Sequence, residues 1–220
     1  MPGKPTPKNA AALDTTRAKL LDAAGEVFAE MGFRAATVRE ICARAGVNIA
    51  LVNYYFGDKL ELYTEVLRHS IGSATDEILA SGPALNPEQA LRVTIRTMLG
   101  RIFSPDRPVW HVRIMTHELA ESTPAMNTVI DEVMLPVFHR FRALIGAILG
   151  LPPNHEKTRL CTISVIGQVV HYAHARPVFA RLWPGLRMTP KQIDRVATHI
   201  ADFSLAYLKA QAKSSEHAHE

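Results

Sequence analysis

Residues 37 to 59 read TVREICARAGVNIALVNYYFGDK, and this stretch decides how the N-terminal part of the chain folds. Ala45 and Gly46 can form a tight turn, because alanine is small and glycine adopts positive φ without steric cost. Val52 and Phe56 are four residues apart and would anchor a short second helix to a core. The pattern predicts two helices joined by a turn, the helix-turn-helix arrangement whose second helix enters the DNA major groove.

On the face of the second helix opposite Val52 and Phe56 lie side chains that are suited to contacts with duplex DNA. An asparagine such as Asn53 can bind adenine through two hydrogen bonds, and tyrosine hydroxyls can donate to phosphates. Lys59, just inside the next helix, can reach a phosphate. Isoleucine and alanine on this face could contact a thymine methyl group or simply fill space. The outward residues are Ile49, Ala50, Asn53 and Tyr54.

The whole chain favours helices, because no pair of β-rich runs is joined by Asn-Gly or Asp-Gly. Apolar residues make up 47% of the 220 residues, which is enough to build a core and excludes global disorder. Capping patterns at Thr37, Asp58, Asn86 and Thr189 mark helix starts. We therefore predict an all-α protein of about nine helices, near 14–31, 37–44, 48–55, 58–81, 87–103, 108–120, 124–149, 155–175 and 189–211.

Glycine and proline predict where two of these helices are interrupted. Gly32 follows the apolar stripe of the first helix and should stop it. Pro136 lies inside the predicted 124–149 helix and should kink or break it, because proline lacks the backbone N–H.

The stretch from about Thr15 to Leu67 resembles the TetR family of bacterial transcriptional repressors, and residues 47–59 are similar to its CecR branch. Ile166-Gly-Gln168 and His174-Ala-Arg-Pro177 support that branch more loosely. One departure is Asn53, where many TetR-like proteins have tyrosine. The resemblance is carried by Ala23-Ala24, Phe28, Gly32-Phe33, Thr37, Arg39-Glu40-Ile41, Ala45-Gly46-Val47, Tyr55-Phe56, Lys59 and Leu62.

The resemblance implies a ligand-released repressor that binds a palindromic operator. Its expected domains are a DNA-binding domain at 14–57 and a ligand-binding and dimerisation domain at 58–212, between flexible tails at 1–13 and 213–220. The DNA contacts that it implies are Thr37, Arg39, Asn48, Ile49, Ala50, Asn53, Tyr54, Tyr55 and Lys59.

The family also implies a homodimer, formed through the helices near 155–175 and 189–211. The first of these helices is apolar on most sides, so it must be covered by its own domain or by another subunit. Gly167 inside it could permit close approach of another helix. A dimer also suits a palindrome, whose half-sites lie about 34 Å apart.

The C-terminal half would hold a small-molecule effector among its helices. Effector sites are mostly apolar with a few placed polar groups, although many such residues are ordinary core. The candidates are Met98, Phe103, Trp110, Met115, Glu118, Phe138, Phe141, Gln168, His171 and Tyr172.

Four histidines in this half invite a metal hypothesis, and His171 and His174 are spaced i, i+3. That spacing is unspecific, so we expect no metal. The histidines are His111, His117, His171 and His174.

Other function classes find little support in the sequence. We see no phosphate loop, nucleophile elbow or metal motif, so we expect neither an enzyme nor a cofactor. Neither a membrane span nor a signal peptide is evident, and two cysteines suit a reducing compartment, so we expect a soluble cytoplasmic protein. The net charge of +4 is too small to identify a partner by itself. The alternative is an all-helical small-molecule-binding protein or enzyme whose N-terminal unit is only a scaffold.

Overall fold

The computed structural model describes residues 7–80 and 85–216, with side chains at 14–72 and 85–213. In this part of the chain the regular secondary structure consists of helices, without a strand, which confirms the all-α prediction. The helices are α1 (Pro7–Ala35), α2 (Val38–Ala45), α3 (Ala50–Phe56), α4 (Lys59–Ala80), α5 (Pro87–Ile102), α6 (Trp110–Ala120), α7 (Pro124–Val129), α8 (Leu135–Leu149), α9 (Glu156–His174), α10 (Arg176–Leu182) and α11 (Pro190–Glu216).

The described helices differ from the nine predicted ones in four main places. The first helix begins at Pro7, so residues 7–13, expected in the tail, are helical, while 1–6 lie outside the described residues. A short helix, α10, follows α9 and was not predicted. The predicted 124–149 helix is divided by a π-helical turn at Ile130–Met134. At the other end of the chain, the helical backbone of α11 continues to Glu216, and 217–220 lie outside the described residues.

The helical geometry changes at both predicted interruptions, with a break at Gly32 and a π-helical turn just before Pro136. Gly32 has φ 74° and ψ 167°, so the helical path of α1 is broken at that residue. Pro136 lies in the first turn of α8, directly after the π-helical turn. Because proline has no N–H, it cannot donate to a carbonyl of this π-helical turn, so a hydrogen bond of the helical ladder is missing at the junction.

Helix starts follow the capping patterns of the sequence. At each of the four predicted positions a side-chain oxygen accepts the N–H three residues later, which satisfies one unpaired donor of the first turn. The four bonds are Glu40 N–H to Thr37 Oγ1 (3.2 Å), Glu61 N–H to Asp58 Oδ1 (2.9 Å), Gln89 N–H to Asn86 Oδ1 (2.9 Å) and Gln192 N–H to Thr189 Oγ1 (3.3 Å).

The chain divides into two compact units. Unit 1 comprises the residues up to Ile71 together with Val109–Ile130. Unit 2 comprises Gly72–Pro108 and Asp131–Glu220. Helices α6 and α7 thus pack with the N-terminal helices, whereas the sequence grouped them with the C-terminal half. The expected functional boundary between residues 57 and 58 stays a prediction.

Each unit has its own apolar core. In unit 1, α1 and α6 come so close that a Cβ added to Gly25 would lie 2.4 Å from Trp110 Cε2. In unit 2, helices α5, α8, α9 and α11 surround a buried cluster that includes Leu91, Phe141, Val169 and Ile200. None of the helices in the described residues is long and apolar enough to cross a membrane.

Candidate DNA-binding site

The turn between α2 and α3 has the predicted geometry. Gly46 adopts the left-handed conformation, with φ 67° and ψ 34°. The N–H of Val47 then donates to the carbonyl of Cys42, with an N···O distance of 3.0 Å. Val52 and Phe56 are buried, as expected for the anchors of α3. The turn and the anchors therefore fix which face of α3 is presented to solvent.

The outward face of α3 is exposed in the described structure. Tyr54 is 70% exposed and Ile49 is 53% exposed. Ala50 and Asn53 are exposed beside them. Asn48 is also exposed, and its Oδ1 accepts the N–H of Ala50, the first residue of α3, at 2.9 Å. The outward face of α3 is therefore open to solvent, and Asn48 helps to hold the turn that precedes it.

Two further predicted contacts lie at the start of α2. Thr37 caps the helix, and its hydroxyl donates to Glu40 Oε2 at 2.9 Å. Arg39 is exposed. Arg44 on the same helix pairs with Glu30 at 2.8 Å and Glu26 at 3.7 Å, so its charge is already balanced within the unit.

Tyr55 differs from its neighbour Tyr54, because it is only partly exposed. Its hydroxyl is buried and has no hydrogen-bond partner among the described residues. The side chain lines a cavity of about 630 Å³ inside unit 1, together with Arg17, Leu60 and Thr128. A phosphate contact by this hydroxyl would require the tyrosine ring to turn outward.

Lys59 is held within unit 1 rather than extended into solvent. Its Nζ donates to the carbonyl oxygen of Arg34 at 3.3 Å and lies 4.7 Å from the ring centroid of Phe33. Burial lowers the pKa of Lys59 from its ordinary value. The ammonium group therefore ties the start of α4 to the end of α1, and these contacts set where it can meet a phosphate.

One contact that supports α3 was missed by sequence reasoning. The guanidinium of Arg17 lies 5.1 Å from the ring centroid of Phe56 and pairs with Glu65 at 2.9 Å. It therefore braces the buried end of α3. The two charged residues are 48 positions apart, so no local spacing reveals the pair.

The ten effector candidates fall into both units. Trp110, Met115 and Glu118 belong to unit 1. There Glu118 is buried, accepting the Tyr63 hydroxyl at 2.7 Å and the N–H of Thr123 at 3.0 Å. The other seven belong to unit 2: Met98, Phe103, Phe138, Phe141, Gln168, His171 and Tyr172.

The candidates in unit 2 differ widely in exposure. Phe141 is completely buried in the core, whereas His171 is exposed. Phe103 lines a cavity of about 500 Å³, and Gln168 lines a groove of about 470 Å³ next to Phe203. The structure therefore does not gather these side chains around one cavity inside unit 2.

The histidines are likewise divided between the units. His111 and His117 lie in unit 1, and His171 and His174 lie in unit 2. The imidazole Nε2 of His117 is 3.1 Å from the carbonyl oxygen of Ala29. Among the described side chains, no group of three or more His, Cys, Asp or Glu residues is arranged to hold a metal ion.

Comparison with known families agrees with this geometry. Residues 20–66 match the family described as bacterial regulatory proteins, TetR family. Residues 87–208 match the family described as the C-terminal domain of the HTH-type transcriptional dual regulator CecR. The chain belongs to the TetR family. The predicted resemblance to its CecR branch is confirmed, and the protein is a DNA-binding transcriptional regulator.

Relatives of this TetR-family chain include a dual regulator and an activator of transcription. The dual regulator CecR of Shigella flexneri is 29% identical over 170 residues, which cover 72% of this chain and 76% of the relative. The transcriptional activator FasR of Mycolicibacterium smegmatis is 42% identical over 81 residues, 37% of this chain and 33% of the relative.

A solved structure shares the fold of this TetR-family regulator. The fatty acid degradation regulator FadR of Bacillus halodurans superposes with a TM-score of 0.65, at 18% identity. The match covers 86% of this chain and 97% of the other. The family and the relatives named here are transcriptional regulators, not enzymes.

Proposed function

We propose that the protein is a ligand-released repressor that binds a palindromic operator as a homodimer. The observation that carries this proposal is the exposed face of α3, held outward by buried Val52 and Phe56. A rigid helix with exposed polar and aromatic side chains next to a tight turn suits major-groove reading. Repression then requires only that the protein occupies the operator, without a surface for a further partner.

The contacts divide into base reading and backbone positioning. Asn53 is exposed on α3 and reads adenine through its amide, while Asn48, Ile49 and Ala50 approach the neighbouring base edges. The remaining contacts position the protein on phosphates and carry little sequence information. Those positioning residues are Thr37, Arg39, Tyr54, Tyr55 and Lys59.

The homodimer is supported by an apolar surface on α9 and α11. Leu160 and Ile163 on α9 and Phe203 and Tyr207 on α11 are each between 53% and 64% exposed. Apart from its chain neighbours and the nearby backbone of its own helix, no described atom lies within 4 Å of a Cβ built on Gly167, which allows a second helix to approach closely. Exposed apolar residues of this size favour burial against a second copy.

The dimer interface can be tested with a matched pair of substitutions. Ile163→Asp places a charge on the proposed interface, and Leu119→Asp places one on α6 of unit 1. The two side chains are 60% and 62% exposed, so the substitutions disturb the folded chain to a similar degree. In analytical ultracentrifugation we expect Ile163→Asp to give monomers and Leu119→Asp to stay dimeric. Two variants with the same mass as the parent would contradict this interface.

Release by the effector requires two states of the dimer that differ in the spacing of their α3 helices. An effector shifts the balance only if it binds one state more tightly. Helix α4 has residues in both units and therefore suits the transmission of this change. The ten candidates predicted from sequence lie in two units and do not line one cavity, so we propose that the effector contacts only some of them.

Selection of bound DNA from a random pool tests the proposed function. We expect the selected sequences to contain an inverted repeat, and transcription from a promoter that overlaps it to fall when the protein is added. Stimulated transcription would indicate an activator. Selected DNA without an inverted repeat would contradict the palindromic homodimer, and failure to enrich any sequence would contradict the proposal as a whole.

A further inference from the structure

A cavity of about 500 Å³ in unit 2 lies between the last turns of α5 and the start of α11. Phe103, Met188 and Ile193 give it an apolar wall, and Arg96, Arg101 and Asp194 give it a charged wall. Its volume falls within the range of small-molecule sites, roughly 300 to 1,000 Å³. We call it the α5–α11 cavity.

Positive charge exceeds negative charge in the walls of the α5–α11 cavity. Asp194 is the one acidic residue among the side chains that line it. Its Oδ1 already accepts a hydrogen bond from Arg96 Nε at 2.7 Å. Two arginines and one aspartate line the walls, so the formal charge of the lining residues is net positive.

Further arginines lie next to these walls. The guanidinium of Arg176 lies 5.1 Å from the ring centroid of Phe103. Arg107 Nη1 donates to the carbonyl oxygen of Arg101 at 3.5 Å, and burial lowers the pKa of Arg107. A bound anion would raise the pKa of Arg107 again, because a nearby negative charge stabilises the protonated guanidinium.

The stretch of sequence that leads into α11 is also basic. Residues 157–193 contain no aspartate or glutamate. The first turn of α11 also has no acidic residue, although the helix macrodipole favours one there. The basic residues between the end of α9 and the part of α11 that lines the cavity are Arg176, Arg181, Arg187 and Lys191.

We propose that the α5–α11 cavity binds an amphipathic anion, with a carboxylate or phosphate head and an apolar body. The head group is held by Arg101 and Arg96, since guanidinium groups bind both oxyanions through paired hydrogen bonds. The apolar body lies against Phe103, Met188 and Ile193. That this anion is the effector rests on the proposed function, whereas its binding does not.

Four probes with the same ten-carbon chain separate the head-group chemistries. They are decanoate, decyl phosphate, decanol and decyltrimethylammonium, each titrated below its micelle concentration into the full chain by calorimetry. We expect at least one of the two anions to bind about tenfold more tightly than the alcohol and the cation, a difference of about 1.4 kcal/mol. The better anion identifies the head group as carboxylate or phosphate. Equal binding of all four probes, or binding of none, would overturn the proposal.

Charge-matched variants locate the site. Arg101→Gln should weaken binding of the preferred anion about tenfold. Arg159→Gln removes the same charge from an exposed position on α9 and should leave the affinity unchanged. Thermal melts of both variants verify that they fold. Equal losses in the two variants would show general charge attraction and overturn the site.

The effector role is read separately from binding. If the anion binds as described but does not release selected operator DNA, the α5–α11 cavity stands as a site and its role as the effector site fails. If the protein selects no DNA, the proposed repressor function fails while the calorimetric result is unaffected.

Discussion

The Tyr63 hydroxyl donates a 2.7 Å hydrogen bond to Glu118 Oε1, which joins α4 to α6 inside unit 1. Both residues are buried, at 1% and 2% exposure. Burial raises the pKa of Tyr63, and the hydrogen bond to Glu118 raises it further. The pair keeps the first turns of α4, directly after α3, attached to a second helix of the same unit.

Removal of this hydroxyl should destabilise the protein. Tyr63→Phe leaves the buried carboxylate of Glu118 without one of its donors, which costs about 1–3 kcal/mol of unfolding free energy. Urea unfolding measures the change. Tyr54→Phe, which removes a hydroxyl from a 70% exposed ring, is the control and should change stability by less than about 0.5 kcal/mol. Equal stabilities for the two variants would mean that the bond contributes nothing net.

Gly25 is required for the close packing of α1 on α6. A Cβ on this residue would lie 2.4 Å from Trp110 Cε2, so Gly25→Ala forces the ring or the helix to move. We expect a loss of about 1–3 kcal/mol, although alanine gains about 1 kcal/mol of helix propensity. The new Cβ of Gly72→Ala on α4 meets no described atom within 4 Å beyond its chain neighbours and its own helical backbone, so this substitution should not destabilise the protein. Thermal melts that rank the two variants in the opposite order would contradict this packing.

Asn53 should contribute to sequence reading rather than to general DNA affinity. Asn53→Ala removes a paired contact to adenine, so binding to selected operator DNA should weaken by about 1–3 kcal/mol. Binding to random DNA should change little, because phosphates dominate it. Asn127→Ala on α7 replaces another exposed asparagine and serves as the control. Fluorescence anisotropy with both DNAs measures the two affinities, and equal losses on both DNAs would argue against base reading.

Lys59 offers a test of phosphate contact against a purely internal role. Lys59→Met should lower operator affinity and reduce the slope of log K against log salt by about one, because one phosphate contact is lost. Lys59→Arg keeps the charge and should keep the slope. A reduced affinity with an unchanged slope in Lys59→Met would show that the bond to the Arg34 carbonyl is its whole contribution.

The helix-turn-helix could be predicted because its signals are local. Gly46, the cap at Thr37 and the i, i+4 anchors all lie within about twenty residues, and short-range spacing determines them. The short helix α10 was missed because it follows α9 after Ala175 alone, leaving little room for a separating signal.

Contacts between distant parts of the chain could not be predicted in this way. The Tyr63–Glu118 bond spans 55 positions, and the bond from Lys59 to Arg34 spans 25. Both depend on how whole helices pack. The same limit affected the effector candidates, because the sequence grouped Trp110 with the C-terminal half whereas α6 packs in unit 1.

Hydroxyl-radical footprinting on the selected operator tests the central claim most directly. The account predicts two protected backbone segments related by two-fold symmetry, with centres about 34 Å apart, and loss of both segments when Asn53→Ala is used at the same concentration. One unsymmetrical protected segment, or protection that is unchanged by Asn53→Ala, would contradict reading of a palindrome by two copies of α3.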